Sequence, residues 1–203
     1  ISDLLLTYDP KEAQKYDITY YSVPFSKTID DNTTSTEVDI YFLGQTKDRL
    51  SLIMETYHYL IKNGKKVNFI LAEVPPEKQV ELPGITYING MSISYLDNLK
   101  NVLNSKCLLE IIQQNSSGDT IRIKEAIVYG KKILTNNIHI KERPFYNPEN
   151  IAYFASPQDI DTTFLKSLSK ELPIDYHYKE QLSPARLLEF IEKKLLSGQY
   201  NRE

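Results

Sequence analysis

From residue 38 onward, short and mostly apolar runs alternate with segments whose apolar residues recur every three or four positions. Residues 38–43 read as a buried strand ending at Gly44. After it, Leu50, Ile53, Met54, Tyr57, Leu60 and Ile61 share one helical face, and Asn63-Gly64 supplies the stop. Further strands are predicted over 67–74 (closed by Pro75-Pro76), 85–88, 107–112, 132–135 and 151–154. Helices are predicted over 95–103, 119–129, 160–168 and 184–196. The last is framed by Ser183 as N-cap, Pro184 at the first helical position and Gly198 just past the end. This alternation argues for βαβ units, right-handed crossovers and a sheet covered on both faces. The expected class is α/β, a three-layer α/β/α Rossmann-like domain with a mostly parallel sheet.

Ahead of residue 37 the periodicity is weaker. Ile1-Ser2-Asp3-Leu4-Leu5-Leu6-Thr7 reads as a core strand, followed by a Tyr-Asp-Pro turn and a helical stretch ending near Tyr16. Residues 18–23 read as extended, and 26–36 (SKTIDDNTTST) as a polar loop or linker. The division predicted is an interdomain segment and linker over 1–36 and one folded domain over 37–203. A chain with no initiator Met that opens inside a strand is expected to be a piece of a longer protein.

Composition narrows the functions. Of 203 residues, 41% are hydrophobic and 25% charged, the balance of a globular domain able to bury a core. A formal charge of −3 gives no general attraction for polyanions, so no nucleic-acid partner is expected. Cys107 is the single cysteine and cannot form an internal disulfide, which fits a reducing compartment. No apolar run approaches the roughly 20 residues that span a bilayer, and a cytoplasmic location is expected.

In an open parallel sheet, ligands bind at the carboxyl ends of the strands, in loops that lead into helices. One such loop is Gly44-Gln45-Thr46-Lys47-Asp48-Arg49, where glycine permits close backbone approach and Lys47 and Arg49 add cations. Being neither GxGxxG nor a Walker loop, on its own it reads as a turn with solvated charges. The second is residues 113–120, small and polar, leading into a helix that carries Arg122 and Glu125 three apart on one face. A helix start of this kind favours phosphate, arginine suits a diphosphate and a carboxylate suits a ribose diol. A surface ion pair below an ordinary N-cap is the plainer reading of the same residues.

Residues 118–137, GDTIRIKEAIVYGKKILTNN, resemble the donor-site signature of GT-B-type glycosyltransferases, above all the bacterial enzymes of lipopolysaccharide and capsule assembly. In that signature a glycine precedes a helix carrying Arg-x-x-Glu-Ala, and Gly-Lys-Lys leads into a strand. YFLGQTKDRL (41–50), SKCLLEI (105–111), FYNPENI (145–151) and TYDPKEAQKY (7–16) resemble other parts of the family in the family's order. The resemblance implies the C-terminal, donor-binding half of a GT-B fold. It implies a UDP- or GDP-sugar donor with no further cofactor, and a glycan acceptor bound through an N-terminal domain outside this chain. By the same resemblance, Glu125 would hold the ribose hydroxyls, and Gly118, Thr120 and Arg122 would face the diphosphate. Gly44, Lys47 and Arg49 would flank the phosphates or sugar, and the base would lie against residues 88–91. The resemblance leaves open work at the inner face of a membrane, by peripheral association, and no basic amphipathic helix stands out in the sequence for it. Asp119 departs from the family, which usually has an apolar residue there. It either points away as a helix-start acid or weakens the phosphate site.

Two rival classes stand beside this reading. One is a non-catalytic Rossmann-like interaction or regulatory module, which Asp119 favours. The other is an NAD-dependent enzyme, against which the absence of GxGxxG counts. His58 is expected to be partly buried and structural, and Cys107 inert core. Asp30 and Asp31 are expected to be solvated. His139 and His177 have no metal-ligand spacing, so no metal site is expected.

Overall fold

The computed structural model describes residues 4–30, 37–90, 92–113, 116, 118–169 and 173–199. In chain order the elements are β1 (Leu6–Thr7), α1 (Pro10–Tyr16), β2 (Thr19–Tyr20), β3 (Val38–Gln45), α2 (Leu50–Lys62), β4 (Val67–Ala72) and β5 (Ile85–Ile88). There follow α3 (Tyr95–Leu103), β6 (Ser105–Glu110), α4 (Ile121–Tyr129), β7 (Lys132–Thr135), β8 (Ile151–Tyr153), α5 (Thr162–Ser167) and α6 (Pro184–Gln199).

Both faces of the central strands are apolar, which is why helices cover both. Along β3, Ile40 and Phe42 enter one core and Tyr41 the other. Phe69 and Leu71 of β4 likewise oppose Ile70, and Cys107 and Leu109 of β6 oppose Leu108. One core is closed by Ile53, Tyr57 and Leu60 of α2 with Phe164 and Leu165 of α5. The other is closed by Leu99 and Val102 of α3 with Ile123, Ala126 and Ile127 of α4. The result is the expected three-layer domain.

Six strands form a sheet in the order β5-β4-β3-β6-β7-β8, and every pairing is parallel. The chain therefore builds outward from β3 to β5, returns beside β3 as β6 and builds outward again. The reversal between β3 and β6 is the topological switch point.

The opening segment departs from the expected core strand. Residues 1–3 lie outside the described residues, and β1 pairs only with β2 in a separate two-stranded sheet. Leu5 and Leu6 are exposed, because no helix or sheet face is there to cover them. Residues 18–23 shrink to the two residues of β2. Of the expected loop, the backbone N–H of Thr28 donates to the Tyr129 hydroxyl at 3.1 Å, while residues 31–36 lie outside the described residues. His58 is exposed rather than partly buried, its ring edge-on to Tyr57. Helix α6 begins as expected, with Ser183 Oγ accepting from the Ala185 N–H at 3.2 Å. It then runs through Gly198 to Gln199.

Candidate functional site

Strand β3 does not turn at Gly44. It stays paired with β4 through Gln45, Gly44 lying opposite Leu71. The turn comes three residues later, where Lys47 takes a left-handed backbone (φ 44°) and a short 3-10 turn, Lys47–Arg49, leads into α2. Lys47 is exposed and makes no ion pair among the described residues. Arg49 instead folds back over the strand ends. Its two terminal nitrogens donate to the carbonyls of Gln45, at the end of β3, and of Ile111, just past β6. It therefore bridges the switch point.

Arg122, in the first turn of α4, reaches the same place from the other side. One terminal nitrogen lies 3.5 Å from the Leu109 carbonyl of β6, and the guanidinium stands 5.6 Å from the ring centre of Phe42 on β3. Among the described residues neither arginine forms an ion pair, and the Nε of each is buried with no hydrogen-bond partner. Burial lowers the Arg49 pKa, with Asp48 opposing and the nearby charge of Arg122 adding to the fall. Two like charges brought together without an ion-pair partner among the described residues make this place electropositive, which suits a phosphate or diphosphate.

The start of α4 is already engaged from within. The backbone N–H and the hydroxyl of Thr120 both donate to Glu110 Oε1, at 3.2 and 2.6 Å, and Thr135 donates to Oε2 at 2.6 Å. Glu110, the last residue of β6, is 2% exposed, and burial raises its pKa against those three hydrogen bonds. Thr120 is thus the N-cap by position, but its hydroxyl accepts from no N–H of α4 and both its donors serve this carboxylate. Gly118 is buried, and a Cβ there would come within 3.1 Å of the Tyr8 carbonyl, so close packing of the opening segment explains this glycine. Of the polar loop before it, residues 114, 115 and 117 lie outside the described residues.

Asp119 pairs with neither of these arginines. Its Oδ1 accepts from Arg143 Nε at 2.8 Å, the two side chains being 4% and 12% exposed. They line a cavity of about 190 Å³ with Tyr20, Ser22 and Lys124. Asp119 thus has a cation of its own, while its charge still reaches Glu110 at the end of β6.

Glu125 is fully buried on α4. Asn98 of α3 donates to its Oε1 at 2.8 Å and accepts from the Tyr41 hydroxyl of β3 at 3.1 Å. Tyr95 of α3 is the other side chain hydrogen-bonded to the Glu125 carboxylate. Burial raises the Glu125 pKa, while Arg122, Asn98 and Tyr95 hold it down. Tyr95, 40% exposed at the start of α3, is close enough for the two groups to couple electrostatically. The loop expected to hold the base leaves β5 at Ile88. Within it, the Asn89 side chain forms a pair of hydrogen bonds with the Val74 backbone, and Met91 lies outside the described residues.

The structure therefore gathers Arg49, Thr120 and Arg122 around the carboxyl ends of β3 and β6, with Gly44 in β3 and Lys47 exposed in the turn after it, while Glu125 lies against Asn98, which meets Tyr41 midway along β3. Sequence reasoning missed Glu110, Asn98 and Tyr41. A carboxylate closing an otherwise apolar strand was the available signal for Glu110; the other two show only through tertiary contact.

No family model matches this chain, and no curated protein matches it. Three solved structures superpose on most of the chain. Spinosyn forosaminyltransferase SpnP superposes with a TM-score of 0.51 at 15% identity, over 89% of this chain and 51% of its own. A DNA-modifying β-glucosyltransferase, determined with and without uridine diphosphoglucose, gives 0.47 at 12% identity, over 93% and 60%. The glycosyltransferase of kitacinnamycin gives 0.47 at 10% identity, over 95% and 55%. The first of these shows a shared fold: a Rossmann-like α/β domain of the kind found in glycosyltransferases. This chain spans about half of that protein's length, 51%.

Proposed function

We propose that this chain is the donor-binding half of a GT-B-type glycosyltransferase that moves a sugar from a UDP- or GDP-sugar to a growing cell-surface glycan. The observation that carries the reading is the pair Arg49 and Arg122, which reach the switch point from opposite sides and form no ion pair among the described residues. A diphosphate beside them would meet the positive charge of both guanidinium groups. At about 4 Å and an effective dielectric near 20, each close charge pair contributes on the order of 4 kcal/mol before desolvation is subtracted. Negative charge grows on the diphosphate as the sugar departs, and cations already held in place stabilise it without reorganising. Glu125, one helical turn along from Arg122, would take the ribose.

In this reading the acceptor groove and general base come from the remainder of a longer enzyme, so the chain binds nucleotide and does not transfer sugar alone. Sugar transfer by the isolated chain would contradict it. Peripheral association with the inner face of a membrane belongs to the same proposal; among the described residues no helix is long and apolar enough to cross one.

The test is calorimetric titration of UDP and GDP into the wild type, Arg49→Gln and Arg122→Gln, at low and moderate salt. Each substitution is expected to weaken binding by about ten- to a hundredfold, the range of one charge-assisted hydrogen bond, and to reduce its salt dependence. Unchanged affinity in both variants would sink the reading. Glu110 favours a second one, a non-catalytic interaction module, because an internal carboxylate already occupies the donors of Thr120. That reading predicts no nucleotide binding at all.

A further inference from the structure

Helix α4 carries a second cation that the switch point does not use. Lys124 lies two positions beyond Arg122, so it leaves the helix on another face, and it is 3% exposed. Its Nζ donates to Ser22 Oγ at 2.6 Å, and among the described residues it forms no ion pair. An ammonium has three donors and a full charge, so one neutral hydroxyl answers only part of it. A charge taken this far from water is normally paired. Asp119 is the carboxylate at hand, but its Oδ1 already accepts from Arg143 Nε at 2.8 Å. It acts on Lys124 as a charge outside ion-pair contact; with Glu110 it offsets part of the cost of burial, while Arg143 adds to that cost. Burial also pushes the Glu110 carboxyl towards its neutral form, and Glu142, the other carboxylate beside Arg143, is 71% exposed. Two largely buried cations therefore share one buried, already paired carboxylate, and the local balance is positive.

These side chains line the cavity of about 190 Å³ described above, which opens in part to the surface. The rest of its wall is largely apolar: Ile123 and Ile127, one turn apart on α4, with Phe145 and Leu182. A cavity of about 150 Å³ holds a benzene ring, so this one has room for a ring or short aliphatic body with a carboxylate attached. A cation with spare donors beside apolar walls suits an amphipathic anion, whereas inorganic phosphate would meet the charge and leave the walls without a partner.

We propose that this cavity is a binding site for a small organic acid of benzoate size or less, its carboxylate on the Lys124 ammonium and its apolar body against Ile123, Ile127 and Phe145. The site shares no side chain with the pair Arg49 and Arg122, and it stands whether or not the donor-site reading does.

The experiment titrates benzoate and butyrate, their neutral counterparts benzamide and butyramide, and inorganic phosphate into the whole chain at constant ionic strength. Binding is followed by calorimetry and by methyl NMR of labelled isoleucines. At least one acid is expected to bind about tenfold or more tightly than its amide, the range of one charge-assisted hydrogen bond, and more tightly than phosphate. It should shift the methyls of Ile123 and Ile127 and leave that of Ile53, in the core on the other face of the sheet, in place. Lys124→Met, which keeps the stem and removes the charge, should weaken the acid at least about tenfold and leave the amide within about threefold. Ser22→Ala frees the ammonium from its hydroxyl partner and should bind the acid as well as the wild type or better. If Lys124→Met does not fold, the acid-to-amide ratio and the methyl shifts of the wild type decide alone. No saturation by either acid at millimolar concentration overturns the proposal. So does binding that the amide matches, that phosphate exceeds, that Lys124→Met leaves unchanged, or that spares the Ile123 and Ile127 methyls.

Discussion

Replacing Asp119 with alanine separates the two roles the sequence left open for it. In the fold the carboxylate is 4% exposed and accepts from Arg143 Nε at 2.8 Å. It also faces Lys124, which is 3% exposed and whose Nζ donates to Ser22 Oγ at 2.6 Å. Burial lowers the Lys124 pKa, and the charge of Asp119 is the first influence opposing it. Alanine would therefore remove a negative charge shared by two largely buried cations. Breaking a buried pair from one side costs about 3–5 kcal/mol. Arg143 keeps 12% of its side chain in solvent and can draw water, which places the expected loss near the lower end, about 3 kcal/mol. For a chain of this length each kcal/mol moves the melting temperature by about 2–4 °C, so Asp119→Ala should melt about 6–12 °C lower by scanning calorimetry. Because the carboxylate is paired with Arg143 and with neither Arg49 nor Arg122, UDP or GDP affinity measured well below the melt should stay within about twofold. If the variant melted like the wild type and bound nucleotide about fivefold or more tightly, Asp119 would be repelling phosphate at the switch point and this placement would be wrong.

Gly130 ends α4 in the left-handed region at φ 62°, and a Cβ there would meet Pro173 at 2.6 Å and the Ile174 carbonyl at 2.7 Å. Gly130→Ala should accordingly cost about 3 kcal/mol or more, and a thermal melt within a few degrees of wild type would refute this. Burial raises the Glu110 pKa above the ordinary 4.5, so the folded protein keeps that proton to higher pH than the unfolded chain does. The group therefore favours folding in acid, and that contribution is lost as pH rises from the ordinary glutamate value through the folded one. Glu110→Gln cannot titrate, so its melting temperature relative to wild type should climb as pH rises across that window; a pH-independent difference would contradict the assignment.

The parts of the fold that rest on local chemistry were legible. Helix α3 falls where predicted because Ser94 caps it, accepting from the Asp97 N–H at 3.1 Å within four residues of sequence. The sheet was legible because its strands are apolar on both faces, a pattern only a doubly covered parallel sheet uses well. Strand β1 was misread because Leu4-Leu5-Leu6 looks like core, and exposure depends on whether another element arrives to cover it. The site was half legible. Arg122 and Glu125 share a helix face by spacing alone, yet Arg49 reaches the switch point only because Lys47 adopts a left-handed turn, which Gly44 was expected to supply. Asn98 looks like an ordinary surface residue of an amphipathic helix. Its role appears only when α3 packs on α4 and brings it against a carboxylate 27 positions away.

Calorimetric titration of this chain with UDP, GDP, ADP and CMP, repeated on Glu125→Ala, tests the donor-site claim most directly. Saturable binding of one nucleotide, lost or weakened at least about tenfold in Glu125→Ala, is the result expected of a buried carboxylate that holds a ribose. Binding of none of them, or binding that Glu125→Ala leaves unchanged, would contradict the claim.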